Sequence, residues 1–220
     1  MITFIVAGGQ LDTGFLSRML EEVAAGQERF IIAADSGVQR CFEIGVTPDY
    51  IVGDFDSADD GVYEAALECG APVKKLNPIK DDTDSEAALG IALENVPDGD
   101  IYYLGGTGSR LDHVFGNVAL LGKGLLAGRT VYLVDETNRI RMIGPGMTCE
   151  IQASEQYGKY VSVFPYMGQV TGLTMEGFKY LLQDATIGGY NTLTVSNEIV
   201  QYICKVSVGQ GYLIIMETKD

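Results

Sequence analysis

Up to Asp135 the chain alternates short apolar runs with segments of helical spacing, and beyond it the alternation ends. The runs at 2–7, 30–34, 49–52, 73–76, 101–104 and 130–134 are predicted strands. The segments 11–24, 38–44, 58–69, 85–95 and 111–126 are predicted helices. Leu16, Met19, Leu20 and Val23 carry the helical spacing in the first, and Ala87, Leu89, Ala92 and Leu93 in the fourth. Strands that are apolar throughout are buried on both faces. Alternating with helices, they imply an α/β domain with a mostly parallel, Rossmann-like sheet and helices on both faces. After Asp135 short β-type runs follow at 140–143, 148–151, 160–164, 170–174, 192–195, 202–208 and 212–217, separated by Gly and polar residues. That pattern predicts an antiparallel sandwich or barrel. The expected division is therefore an α/β domain over 1–135 and an all-β domain over 136–220.

At 220 residues and 46% hydrophobic content the chain can bury a proper core. A net charge of −15 argues against general nucleic-acid affinity and against a polybasic membrane anchor. It leaves room for an anionic substrate, because divalent metal can sit between carboxylates and phosphates. No run approaches the ~20 apolar residues of a membrane span. The opening MITFIVAGGQ has no basic lead and too short an apolar part for a signal peptide, so it reads as the first strand. Cys41, Cys69, Cys149 and Cys204 lie far apart without a CxxC pair, which predicts reduced thiols in the cytoplasm. His113 is the only histidine, so a zinc site is not expected.

Three acidic clusters fall at the ends of predicted elements: Asp54-Phe55-Asp56-Ser57, Lys80-Asp81-Asp82-Thr83-Asp84 and Arg110-Leu111-Asp112-His113. Loops at the carboxyl ends of parallel strands gather on one edge. Asp54, Asp56 and Asp112 are expected there directly after strands, and the Lys80 cluster there ahead of a helix. Capping is the plainer role for each acid alone: Asp56 or Ser57 for a helix starting at Ala58, Thr83 with Glu86 as a capping box, Asp112 in a first turn. One cap per helix start does not account for Asp54 plus Asp56, or for Asp81 through Asp84. Like charges so close need a cation or a shared proton between them. A magnesium–phosphate site satisfies the whole set, since Mg²⁺ prefers oxygen ligands and substrate phosphates. The loop GGTGSR, with Gly105, Gly106 and Gly108, can bring backbone N–H groups to a phosphate, and Arg110 adds a charged clamp. It is neither a P-loop nor a GxGxxG fingerprint. AGGQ at 7–10 reads equally as a plain turn, and His113 as a general base or a packed residue.

At these residues the sequence resembles the thiamine pyrophosphokinase family. The similarity runs through AADSG at 33–37, GVTPDYIVGDFDS at 45–57, KDDTD at 80–84, GGTGSRLDH at 105–113, VFP at 163–165, GFKYLL at 177–182 and SNE at 196–198, in the family's order. The resemblance implies Mg²⁺-dependent transfer of pyrophosphate from ATP to the hydroxyl of thiamine, leaving AMP. It also implies a homodimer whose active site joins the α/β domain of one subunit to the β domain of the other. Carried over by position, Asp54, Asp56, Asp81, Asp84 and Asp112 are the catalytic acids, with Asp54, Asp56, Asp84 and Asp112 on metal. Asp82 stands where the family varies. Arg110, Gly105, Gly106, Gly108, Ser57, Thr83, Lys80 and Asp35 fall on the nucleotide side, and Ser196 and Asn197 near thiamine. Ser36 replaces the family's usual glycine, which questions close backbone approach there. The chain has no tryptophan to stack on thiamine, and Tyr212 is the candidate substitute. IVGDFDS also resembles the opening of aspartate-nucleophile phosphatases, and a non-catalytic thiamine or nucleotide sensor is a further alternative.

Overall fold

The apolar runs before Asp135 pair as parallel strands in a computed structural model that describes residues 1–55, 61–77, 83–108, 110–188, 190 and 192–220. The strands are β1 (Ile2–Val6), β2 (Arg29–Ala34), β3 (Tyr50–Gly53), β4 (Val73–Lys75), β5 (Ile101–Leu104) and β6 (Val131–Val134), in the order β4-β3-β2-β1-β5-β6. Every neighbouring pair is parallel. The central strand β1 is buried at all five positions, as an uninterrupted apolar run requires. The chain winds outward from β1 to β4, then returns to the other side of β1 for β5 and β6. The strand order therefore reverses between β1 and β5.

Five helices occur among the described residues of this unit: α1 (Thr13–Glu22), α2 (Gly37–Glu43), α3 (Val62–Glu68), α4 (Asp84–Asn95) and α5 (Leu111–Leu126). Helix α1 buries Phe15, Leu16, Met19 and Leu20, one stripe at helical spacing. Its N-cap Asp12 accepts a hydrogen bond from the Phe15 N–H at 2.8 Å. Helix α3 begins later than expected. Its N-cap is Gly61 at φ 90°, with no side-chain cap hydrogen bond, and the expected caps Asp56 and Ser57 lie outside the described residues. A left-handed residue at that position favours glycine.

The chain divides into two units, Met1–Glu136 and Thr137–Asp220. The second unit is antiparallel. Its strands are β7 (Asn138–Ile143), β8 (Thr148–Gln152), β9 (Tyr160–Glu176), β10 (Leu182–Ile187), β11 (Asn197–Glu198), β12 (Ile203–Ser207) and β13 (Gln210–Thr218). The order β7-β13-β9-β12-β8 is joined by β10 and β11, both paired with β9. The two runs expected at 160–164 and 170–174 are one long strand. It turns at Met167 (φ 56°) and Gly168 (φ 148°). Its first half pairs with β11 and most of β13, and its second half with β10, β12 and Gln210 of β13. The expected strand at 192–195 is instead a turn, held by the Thr194 hydroxyl donating to the Val163 carbonyl at 2.5 Å. Strand β10 has no clean alternation because Asp184 adopts φ 47° and the register shifts around it. Val161, Val163, Val170, Leu173, Met175, Phe178, Cys204, Val206, Leu213 and Ile215 form the core.

All four cysteines are unpaired, and only Cys69 is partly exposed. Burial pushes the Cys41 thiol up to about 12. No helix among the described residues is long and apolar enough to cross a membrane.

One buried charge organises the second unit. Glu217 is fully buried and stands directly opposite Arg139 across β13 and β7. It accepts from Arg139 at 2.8 and 3.1 Å, from Arg141 at 3.3 Å and from the Tyr157 N–H at 3.1 Å. Removing one member of a buried charge cluster strands the others without compensation. Glu217→Ala should therefore lower unfolding free energy by about 3–5 kcal/mol, read from urea unfolding of the full chain.

Candidate active site

Ligands of open parallel sheets sit where the strand order reverses, outside the carboxyl ends. Here the chain leaves β1 and β5 through two loops, 7–10 and 105–108. The Ala7 N–H donates to the Leu104 carbonyl at 2.9 Å, and the Gly9 N–H to the Gly105 carbonyl at 3.1 Å. A Cβ on Gly9 would collide with the Gly105 carbonyl, and one on Gly105, where φ is 70°, with that of Ala7. A Cβ on Gly106 would meet Leu133 Cδ1 at 2.6 Å and Tyr103 Cε1 at 2.7 Å. Glycine is needed because the two loops interlock with no room for side chains. They line a cavity of about 330 Å³ together with the end of β2 and the first turns of α4 and α5.

Several residues singled out in the sequence meet in this cavity: Asp35, Thr83, Asp84, Gly105, Gly106, Gly108, Arg110 and His113. Thr83 also caps α4, its hydroxyl accepting from the Glu86 N–H at 3.2 Å. The Glu86 carboxylate does not complete a capping box; it accepts from Lys123 on α5 at 2.7 Å. Asp35 adopts φ 51° at the end of β2, a conformation that costs an aspartate less than most residues. Its N–H donates to the Val52 carbonyl at 2.8 Å, and a Cβ on Gly53 would lie 3.0 Å from Asp35 Cα. Asp54, the residue after β3, therefore stands on the same sheet edge as Asp35, though it is not among the cavity-lining residues.

Asp112 departs from expectation. It does not follow a strand directly but lies in the first turn of α5, seven residues beyond the first glycine of the loop. It is exposed and paired with Arg110, which reaches it at 2.6 and 3.2 Å, and it also accepts from the His113 N–H at 3.0 Å. The Arg110 guanidinium, with the His113 N–H, holds the Asp112 carboxyl down at about 2. Asp56, Ser57, Lys80, Asp81 and the excluded Asp82 lie outside the described residues. Among the described residues no group of three or more His, Cys, Asp or Glu is placed to hold a metal. The donors present are hard oxygens, namely the Asp54 and Asp84 carboxylates and neighbouring hydroxyls, a set that suits Mg²⁺.

The serine at position 36 is accommodated by a glycine elsewhere. The Ser36 hydroxyl donates to the Gly8 carbonyl at 3.3 Å, and a Cβ on Gly8 would collide with that hydroxyl. Close approach is supplied from the β1 loop instead. AGGQ thus carries more weight than a plain turn, since Ala7, Gly8, Gly9 and Gln10 all line the cavity. Ser85, Tyr103 and Asn117 line it too and were not singled out. Tyr103 sits inside an apolar run and Asn117 inside a helix, so both read as packing residues from sequence.

In the second unit Ser196 is exposed at φ 58°, and its N–H donates to the Ser162 hydroxyl at 2.9 Å. Asn197 is buried and its amide binds the Tyr180 backbone twice, donating at 2.7 Å and accepting at 3.0 Å. It also accepts from the Glu198 N–H at 3.0 Å. Asn197 therefore clamps SNE to GFKYLL. Tyr212 is half-buried in β13, opposite Tyr166.

Residues 23–133 match the thiamin pyrophosphokinase catalytic domain, and residues 148–213 the thiamin pyrophosphokinase vitamin B1 binding domain. Over 189 residues the chain is 34% identical to the thiamine pyrophosphokinase of Bacillus subtilis strain 168, covering 86% of this chain and 87% of that protein. The crystal structure of thiamine pyrophosphokinase from Bacillus subtilis superposes with a TM-score of 0.88 at 32% identity, covering 100% of both chains. That of the Geobacillus thermodenitrificans thiamin pyrophosphokinase gives 0.84 at 32% identity, covering 100% of this chain and 98% of the other. These structures share the mixed α/β fold with its large sheet. Both domain matches fall in chain order and together span most of the sequence, so the chain belongs to the thiamine pyrophosphokinase family.

Proposed function

We propose that the chain moves the pyrophosphoryl group of ATP to the hydroxyl of thiamine with Mg²⁺, giving thiamine diphosphate and AMP, and that the cavity between β1 and β5 is its phosphate end. The observation that carries the site is the meeting, at the reversal of strand order, of a glycine loop, Arg110 and the acidic start of α4. The Rossmann-like reading of the first unit rests on its parallel strand order, and the sandwich reading of the second on its antiparallel pairing.

Each group has a part. Backbone N–H groups of loop 105–108 and the positive start of α5 attract phosphate oxygens. Arg110, paired with Asp112 at the same helix start, presents its guanidinium to them. Asp54, Asp56, Asp84 and Asp112 would hold Mg²⁺, which when bound neutralises phosphate charge. A carboxylate of the set that includes Asp81 takes the proton as the thiamine hydroxyl attacks the β-phosphorus and AMP leaves. Lys80, Ser57, Thr83 and Asp35 complete the nucleotide side. Ser196 and the segment clamped by Asn197 serve thiamine, and Tyr212 offers it an aromatic face.

The homodimer and the cytoplasmic location belong to this reading. Leu181, Leu193 and Tyr202 are largely exposed on the second unit, and a second copy would cover them. Unpaired cysteines suit a reducing compartment.

Incubation with ATP, Mg²⁺ and thiamine should yield AMP and no ADP, and chelation should abolish turnover. Inorganic phosphate released from small esters would support the phosphatase alternative, and thiamine binding without AMP the sensor. Asp84→Asn should cut kcat about 100-fold or more, the scale of losing a charge-stabilising group. The Arg110–Asp112 pair has its own signature. A depressed carboxyl adds stability above its unfolded value of about 3.9 and loses it as pH falls toward the folded value. Carboxyl NMR should find Asp112 titrating at about 2, and Arg110→Ala should return it toward the ordinary range.

A further inference from the structure

A single hydroxyl under the cavity floor joins three of its walls. Tyr103 on β5 is 2% exposed. Its hydroxyl lies 2.5 Å from the Ser85 Oγ, in the first turn of α4 beside Asp84. It donates to Asn117 Oδ1 at 3.3 Å, and Asn117 Nδ2 donates to the Gly106 carbonyl at 2.7 Å. With the Tyr103 proton given to Asn117, Ser85 is the donor to Tyr103, so donors run one way from α4 to the glycine loop. The partners fix the orientation of the loop peptide. In a trans peptide the N–H points opposite to the carbonyl, so holding the Gly106 carbonyl to Asn117 turns the Thr107 N–H away from α5. Asn117 also shares the face of α5 that carries His113 one turn earlier, and both line the cavity.

We propose that Tyr103 is a positioning residue for pyrophosphoryl transfer, its hydroxyl setting the acidic start of α4 and the glycine loop in register with each other. The inference rests on the reading of this cavity as the phosphate end. The Lys123–Glu86 pair also bridges α4 and α5, but it is solvent-exposed and such pairs hold little. The Tyr103 link is buried. Burial pushes its hydroxyl up to about 12, so it remains a fixed donor across the working pH range rather than an acid or base. The ring packs against Gly106 independently of the hydroxyl, so Tyr103→Phe removes the link and keeps the floor.

The test is steady-state AMP formation by the full chain, with folding checked by circular dichroism. Tyr103→Phe should lower kcat on the order of ten-fold or more while KM for thiamine changes less than two-fold. Ser85→Ala should act in the same direction, and the double variant should be no slower than the slower single, because both cut one chain. If Tyr103→Phe fails to fold, Ser85→Ala against Asn117→Ala carries the same comparison. A purely structural hydroxyl predicts a lower melting temperature with kcat within two-fold of wild type, and that result overturns the proposal. So do fully additive effects in the double variant. Asp84→Asn separates the two failures. Full activity there removes the site reading itself, whereas a dead Asp84→Asn beside a fully active Tyr103→Phe removes only the positioning role.

Discussion

The interlocking of the loops that leave β1 and β5 is the constraint on which the first unit depends. Parallel strands place their carboxyl ends together, and a reversal of order sends consecutive connections to opposite sides. The gap left at that point is bounded on one side here by backbone against backbone. Gly9 and Gly105 meet through an N–H···O bond with no space for a β-carbon. At these positions main chain stands where side chains would otherwise fill the crevice, beside the side chains of Asp84, Arg110 and His113. A crevice lined this way suits a phosphate more than an apolar ligand.

A chain with a net charge of −15 must still receive a polyanion, and its means are local. Arg110 sits at the cavity with its guanidinium committed to Asp112 on the same helix start. Positive helix ends and main-chain N–H groups add attraction without adding net charge. The acids at the sheet edge then become an asset, since hard oxygens at the ends of β3 and α4 suit divalent metal. The excess negative charge elsewhere disfavours general binding of polyanions.

The second unit solves a different problem, that of presenting irregular loops from a firm base. Strand β9 bends at Met167 and Gly168, so one strand serves two sets of partners. Glu217 binds two arginines and the Tyr157 N–H. Asn197 satisfies both polar atoms of its amide on the Tyr180 backbone, which secures the turn carrying Ser196 at its left-handed φ. Buried polar groups are tolerated because each finds partners, and they give the loops a single arrangement.

Residue order alone settled the parts that depend on local pattern. Alternation of apolar runs and helical stripes marked the six parallel strands and five helices, and its end near Asp135 marked where a second kind of structure begins. Order of motifs also indicated the family, because each short segment keeps its own chemistry. What pattern could not reveal is which groups meet. Ser85 reads as the first residue of a helix, Tyr103 and Asn117 as packing and Gly8 as a turn, since their partners lie on other elements and leave no periodic trace. The late start of α3 after its N-cap Gly61, the unbroken β9 and the turn at 193–196 were hidden for the same reason. Spacing along the chain determines which face a residue takes. Only packing in three dimensions decides what stands opposite that face, because hydrogen-bond partners and steric limits are set by distance in space and not by distance in sequence.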